Sequence, residues 1–344
     1  MRIGMLTGGG DCPGLNPAIR GFVMRALDYG YECVGFLNGW KGLVEGASRP
    51  LGLKDVEDII AQGGTMLGSS RTNPFRAGRE HELESCLANI KKFDLDAVVA
   101  LGGEDTLGVA YKLFKLGINT VGVPKTMDND LNSTDYTFGF DSAVSVATDS
   151  IDRLRDTAKS HNRVMVVEVM GRHAGWVALY AGIAGGADWI LLPEIGLDID
   201  AMCEHLTAIR ARGKNYGIVV ASEGVDLPHS DETDVAVDAF GHVILRERGV
   251  GDFLAKEIEQ RTGIETRFAV LGHIQRGGAP TVFDRVLASR LGIKAAELVH
   301  NKEFGKMASI QGNQITGVDL EHAVTQLKTV PPEFYEEATT LFSK

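Results

Sequence analysis

Short apolar runs alternate with glycine-rich polar turns and with segments of helical period along the whole chain. Residues 2–7 read as a strand that runs into Gly8-Gly9-Gly10-Asp11-Cys12-Pro13-Gly14-Leu15-Asn16. Ile19, Phe22, Val23 and Ala26 follow at helical spacing. Further strands are expected at 32–37, 95–101 and Thr120-Val121-Gly122-Val123. The last of these is continuously apolar and β-branched, the pattern of a parallel strand covered on both faces. After Phe138-Gly139-Phe140-Asp141-Ser142, one helix face carries Val144, Ala147, Ile151 and Leu154. Strand and helix in alternation predict a doubly wound α/β sheet for the first half. Strands at 163–170, 189–192, 217–221 and 267–272 repeat the theme in the second. A chain of 344 residues then suggests two domains.

Composition narrows the function. A net charge of −11 argues against a nucleic-acid or anionic-membrane surface. No apolar run approaches the ~20 residues that a membrane-spanning helix needs. The N-terminus enters a strand directly, so no signal peptide is expected and a cytoplasmic location is. Cys12, Cys33, Cys86 and Cys203 show neither metal-ligand spacing nor the density of a disulfide scaffold, which points to reduced thiols.

Candidate chemistry gathers at the strand ends. Pro124-Lys125-Thr126-Met127-Asp128-Asn129-Asp130 follows the buried run at 120–123. In open α/β sheets, ligands bind at such carboxyl ends. An isolated Asp-Asn-Asp also describes an ordinary surface turn; the site reading gains from the other strand ends. Gly8–Asn16 has the strand, glycine turn and helix that aim backbone N–H groups at phosphate, although it is neither G-x-G-x-x-G nor a Walker A sequence. Gly68-Ser69-Ser70-Arg71 closes a glycine and hydroxyl loop with a guanidinium suited to anions. In Gly102-Gly103-Glu104-Asp105-Thr106 the carboxylates suit magnesium near a phosphate, or equally the N-terminus of a helix, and both readings stand. Arg163, Arg172, Arg267, His273 and Arg276 flank strand ends on an acidic chain, which favours a phosphorylated small molecule.

Together these stretches resemble the phosphofructokinase family over nearly the whole chain. The resemblance is carried by the motifs Gly9–Asn16, Gly68–Arg71, Gly102–Thr106 and Pro124–Asp130. It continues through Glu168-Val169-Met170-Gly171-Arg172 and Leu271-Gly272-His273-Ile274-Gln275-Arg276-Gly277-Gly278. It implies two similar three-layer α/β domains with mainly parallel sheets and crossed connectivity. Residues 1–139 with 275–326 would form the phosphoryl-donor domain, and 140–274 with 327–344 the sugar-phosphate domain.

The same resemblance implies phosphoryl transfer to the 1-hydroxyl of fructose 6-phosphate, with Mg2+. Asp128 would be the base, with Thr126, Asp130 and Arg172 beside it. Met170, Gly171, Arg172 and Glu223 would line the sugar site, and His273 and Arg276 would bind its 6-phosphate. Arg163 and Arg267 would reach that phosphate from a neighbouring copy in a homo-oligomer, a tetramer or a dimer. Gly10, Arg71 and Thr106 would hold the donor, and Glu104 the magnesium. Glu104 stands where the family more usually has aspartate, and Met24 where nucleotide-regulated bacterial members have an effector-site arginine.

Donor choice falls on Asp105 and Lys125. Pyrophosphate users of the family carry Asp and Lys there, where ATP users commonly have glycine. A carboxylate at Asp105 would crowd and repel a nucleotide α-phosphate, and an ammonium at Lys125 would compensate a compact pyrophosphate. The expected activity is therefore reversible, pyrophosphate-dependent phosphorylation of fructose 6-phosphate, with the ATP-dependent enzyme on the same scaffold as the alternative. A non-catalytic sugar-phosphate sensor would be expected to lack Asp128 or Thr126, and a dehydrogenase would need the absent G-x-G-x-x-G.

Overall fold

A computed structural model describes residues 1–228, 240 and 249–343. In chain order the strands are β1 (Arg2–Thr7), β2 (Glu32–Phe36), β3 (Ser48–Leu51), β4 (Ala97–Gly102), β5 (Thr120–Pro124), β6 (Val164–Val169), β7 (Trp189–Leu191), β8 (Gly217–Ser222), β9 (Thr266–Val270), β10 (Lys306–Gln311) and β11 (Gln314–Asp319). The helices of the first half are α1 (Leu15–Asp28), α2 (Trp40–Glu45), α3 (Leu53–Val56), α4 (Glu80–Lys92), α5 (Glu104–Lys115) and α6 (Phe140–His161). Those of the second are α7 (Trp176–Ala184), α8 (Ile199–Ala211), α9 (Val250–Thr262), α10 (Val282–His300), α11 (Leu320–Val324) and α12 (Pro332–Thr339).

Among the described residues there are two sheets, in the orders β11-β10-β5-β4-β1-β2-β3 and β7-β8-β6-β9. The second is parallel throughout; in the first, only β3 and β11 run antiparallel to their neighbours. Every residue of β4, β5, β6 and β8 is buried, as their predominantly apolar runs lead one to expect; the one carboxylate among them, Glu168 in β6, accepts the Gly251 N–H. The expected α/β class with mainly parallel sheets is thus what forms. The expected strand at 95–101 starts two residues later, because Leu95 and Asp96 are used in a turn that bonds to Ile90 and Arg2. The sequence reading had no strand at β3, β10 or β11.

The chain crosses between sheets more than once. After β9 a short 3-10 helix, Gly272–Arg276, leads to α10, which packs on α1 and β10 of the first sheet. α11 then lies on α5, and α12 returns to α7 against the second sheet. All four cysteines are buried free thiols.

Candidate active site

The loop after β5 is closed by its own polar groups. Asn129 takes the left-handed backbone region, φ 52°, which asparagine tolerates better than most residues. Its Oδ1 accepts from the Thr137 N–H at 3.0 Å, while the Thr137 hydroxyl donates to the Thr126 carbonyl at 2.5 Å. Thr126 Oγ1 accepts the Asp128 N–H at 3.1 Å. These bonds fix Asp128 with its Oδ1 buried and without a hydrogen-bond partner. An unsatisfied buried acceptor costs about 1–3 kcal/mol, so one held this firmly is suited to a ligand donor such as a hydroxyl.

Further carboxyls crowd this point. Burial first, and then the charge of Asp128, push Asp130 up to about 7. Burial and then Asp128 likewise push Glu223 up to about 6. Lys125 is only 4% exposed, and its ammonium donates to the Gly10 carbonyl at 2.5 Å. Burial is the main influence on that ammonium and lowers its pKa; Asp128 and Asp130 oppose it.

The glycine loop is shaped by its neighbours. At Gly10 a Cβ would stand 2.5 Å from the Arg276 guanidinium, which in turn donates to the Asp11 carbonyl at 2.9 Å. A side chain at position 10 would therefore displace the Arg276 guanidinium from its place across this turn. The Thr106 side chain is 2% exposed, packed against Gly8 and Gly102. What Thr106 can offer a ligand is its backbone, in the first turn of α5 before the first intrahelical bond from Leu107 to Gly103. Glu104 and Asp105 share that turn, so the helix-terminus reading of these carboxylates holds without displacing the metal reading. Ser69 Oγ donates to the Gly9 carbonyl at 2.5 Å and Gly9 N–H to Ser70 at 3.0 Å, bringing Arg71 beside the glycine loop.

The second sheet supplies the opposite wall. Gly171 has φ 141°, and a Cβ there would meet Ala174 O at 2.8 Å and Ser222 Oγ at 2.9 Å. Its carbonyl accepts from Ser222 Oγ and from the Gly224 N–H, so the turns after β6 and β8 are tied together. This sets Met170, Arg172 and Glu223 at one edge, with His273 and Arg276 on the short helix after β9.

Arg163 and Arg267 do not join them. Arg163 directly precedes β6, and Arg267 pairs with Met165 in its second position, so both lie at the opening end of the sheet. A six-residue strand at ~3.3 Å per residue separates them from Arg172 by roughly 20 Å. There they share Glu265, at 3.3 Å and 2.8 Å respectively. The five basic residues that sequence reading grouped are thus divided between two ends, because 163 and 267 begin strands whereas 172, 273 and 276 follow them.

Among the described residues, no three His, Cys, Asp or Glu side chains converge as a self-sufficient cation site. Magnesium carried by phosphates needs only one or two carboxylates and keeps its waters. The Glu104 charge reaches Asp130, so the donor set fits such an ion. The sequence reading missed Thr137, which pins the loop from a distance, and it gave Asn129 no task; the residue type best suited to φ 52° was its one signal.

Residues 2–299 match the phosphofructokinase family model. A protein of Dictyoglomus thermophilum named pyrophosphate–fructose 6-phosphate 1-phosphotransferase is 54% identical, over 100% of this chain and 99% of its own. ATP-dependent 6-phosphofructokinase 2 of Streptomyces coelicolor is 49% identical, over 99% of this chain and 100% of its own. The pyrophosphate-dependent phosphofructokinase structure from Marinobacter aquaeolei superposes with a TM-score of 0.83 at 24% identity, covering 100% of this chain and 92% of that one, a likeness of fold. With a full-length relative at 54% identity and the site geometry in place, this chain belongs to the phosphofructokinase family.

Proposed function

We propose that this protein transfers a phosphoryl group reversibly between pyrophosphate and the 1-hydroxyl of fructose 6-phosphate. The observation that carries the reading is Asp128, whose buried Oδ1 lacks a partner within electrostatic reach of the Lys125 ammonium on the glycine loop. Asp128 accepts the hydroxyl proton as the oxygen bonds to phosphorus, Thr126 holds the Asp128 backbone, and Arg172 neutralises charge on the moving group. Phosphoryl transfer asks for little beyond such positioning and neutralisation.

Residues 1–139 with 275–326 form the donor domain of this reading, and 140–274 with 327–344 the sugar domain. Gly10, Arg71 and the backbone at Thr106 hold the donor. Glu104 holds Mg2+, which supplies Lewis-acid neutralisation of the phosphates. Met170, Gly171, Glu223, Asp130, His273 and Arg276 hold the sugar phosphate, with Arg163 and Arg267 of a second copy completing it. That last assignment draws support from the distance between the two ends of β6. The enzyme works in the cytoplasm as a homo-oligomer.

Pyrophosphate is favoured by Asp105 in the first turn of α5 and by the buried Lys125. The ATP-dependent reading has its own support in the Streptomyces relative. Purified protein, given fructose 6-phosphate, magnesium and either pyrophosphate or ATP, decides between them. Fast turnover with pyrophosphate and little with ATP is expected. The reverse preference overturns the donor assignment, and no turnover with either overturns the activity.

A further inference from the structure

The segment between α11 and α12 touches the loop that carries Asp128. Leu327 bridges Leu131 in antiparallel register, and the Lys328 N–H donates to the Asp130 carbonyl at 2.8 Å. The Lys328 ammonium then reaches further along the same loop, donating to the carbonyls of Thr134 and Asp135, both at 2.9 Å. On its other side, Trp176 Nε1 donates to the Lys328 carbonyl at 2.8 Å, and the ammonium lies 5.5 Å from the indole centroid. Trp176 begins α7, directly after the turn that holds Gly171 and Arg172. Two residues on, the Val330 N–H donates to Glu194, which also accepts the Gly175 N–H. One residue thus fastens the loop after β5 on the first sheet to the turn after β6 on the second.

We infer that Lys328 is a positioning residue for phosphoryl transfer, fixing the separation of Asp128 from the Gly171–Arg172 turn. The inference rests on Asp128 being the base. Lys328 does not face the reacting atoms; it acts through the backbone of residues 130–135. Its ammonium is held by two carbonyls and a π face, with the carboxylates of Asp135 and Asp130 nearby. Burial lowers it to about 8, and those two carboxylates pull the other way. An apolar side chain here would leave the Thr134 carbonyl without its donor and the Asp135 carbonyl with only the longer bond from Asn129 at 3.4 Å, freeing the loop to shift. Near-attack geometry is unforgiving, since a displacement of about 1 Å can cost about 10²-fold in rate.

The test is steady-state kinetics of Lys328→Met, Lys328→Arg and Trp176→Phe with fructose 6-phosphate and pyrophosphate, alongside thermal unfolding. Lys328→Met is expected to lower kcat about 10²-fold while each KM moves less than about threefold. Lys328→Arg, which keeps the cation and its donors, recovers most of that loss. Trp176→Phe removes the indole N–H together with one ring of the side chain; its fall in kcat should not simply add to that of Lys328→Met, because both loosen the same strap between the two loops. Should Lys328→Met fail to fold, Trp176→Phe alone still decides the matter through its kcat. An unchanged kcat, a loss confined to KM, or a loss that arginine does not recover overturns the inference. Asp128→Asn separates the two ideas: if it keeps full activity the base assignment fails, whereas if it is inactive and Lys328→Met is not, only the Lys328 assignment fails.

Discussion

The Lys125 ammonium lies 2.5 Å from the Gly10 carbonyl, so one buried cation joins the loop after β5 to the loop after β1. The two loops meet nowhere in sequence, and the bond sets the floor on which a donor phosphate would rest.

Donor selection follows from that floor. Lys125→Gly should lower kcat/KM for pyrophosphate by about 10-fold or more, the loss of a charge-assisted contact, with little effect on KM for fructose 6-phosphate. Asp105→Gly should raise kcat/KM for ATP. For ATP, the double change is expected to depart from the two single changes added together, since neighbouring charges in one site are coupled. Kinetics of the four proteins with both donors would expose a wrong assignment as unchanged donor ratios.

Asp128→Asn keeps the shape and removes the proton acceptor. Its kcat should fall by roughly 10²–10⁴, with sugar-phosphate affinity nearly unchanged in a direct binding measurement. Equal losses in binding and turnover would instead make Asp128 a binding group.

Arg163 stands at the far end of β6 from the base, and that position has a genetic consequence. Arg163→Ser should raise KM for fructose 6-phosphate by about 10-fold or more. Assayed at fructose 6-phosphate below the raised KM, hybrid oligomers of an Arg163→Ser chain with an Asp128→Asn chain should exceed the activity of either parent, because some sites then pair the Asp128 of one chain with the Arg163 of the other. Verified hybrids without recovery place both residues in one subunit's site.

Much of this was legible in the sequence, and the reasons differ by element. The run at 120–123 could be read as a buried parallel strand because both faces are apolar, and β5 is buried throughout. The hairpin of β10 and β11 escaped because Lys306, Ser309 and Gln311 interrupt its apolar residues; Gly312, at φ 58°, was its turn signal. Site residues at the ends of strands could be listed from their types. That Arg163 and Arg267 face away from Arg172 depends on which end of a strand each occupies, and composition is blind to that. Lys328 carries no local mark at all, since its partners at 134, 135 and 176 are distant in the chain.

Asp130 predicts a pH-dependent stability. Its carboxyl is raised from 3.8 to about 7, so across that window the folded chain keeps a proton the unfolded chain has released. The stability it contributes is full below the lower value and falls as pH rises through the upper one. Asp130→Asn has no such charge to bury. Its melting temperature should therefore gain on the wild type as pH rises from about 4 to about 7, and the gap should level off above. A gap that narrows over this range contradicts the assignment.

The four buried thiols give the molecule its own reporters of opening. Burial pushes Cys12, Cys33 and Cys86 up to about 12, so these three offer little thiolate to a reagent while the fold is closed; burial also raises Cys203. Alkylation of Cys12, Cys33 or Cys86 must wait for the thiol's surroundings to part, and its rate becomes a clock for that motion. Cys12 donates to the Phe138 carbonyl at 3.5 Å behind the glycine loop, while Cys203 sits on α8 against the second sheet. Mass spectrometry of the native chain, with and without a bound phosphate, can therefore time the opening of the layer behind the glycine loop through Cys12 and compare it with the labelling of Cys203 on the second sheet.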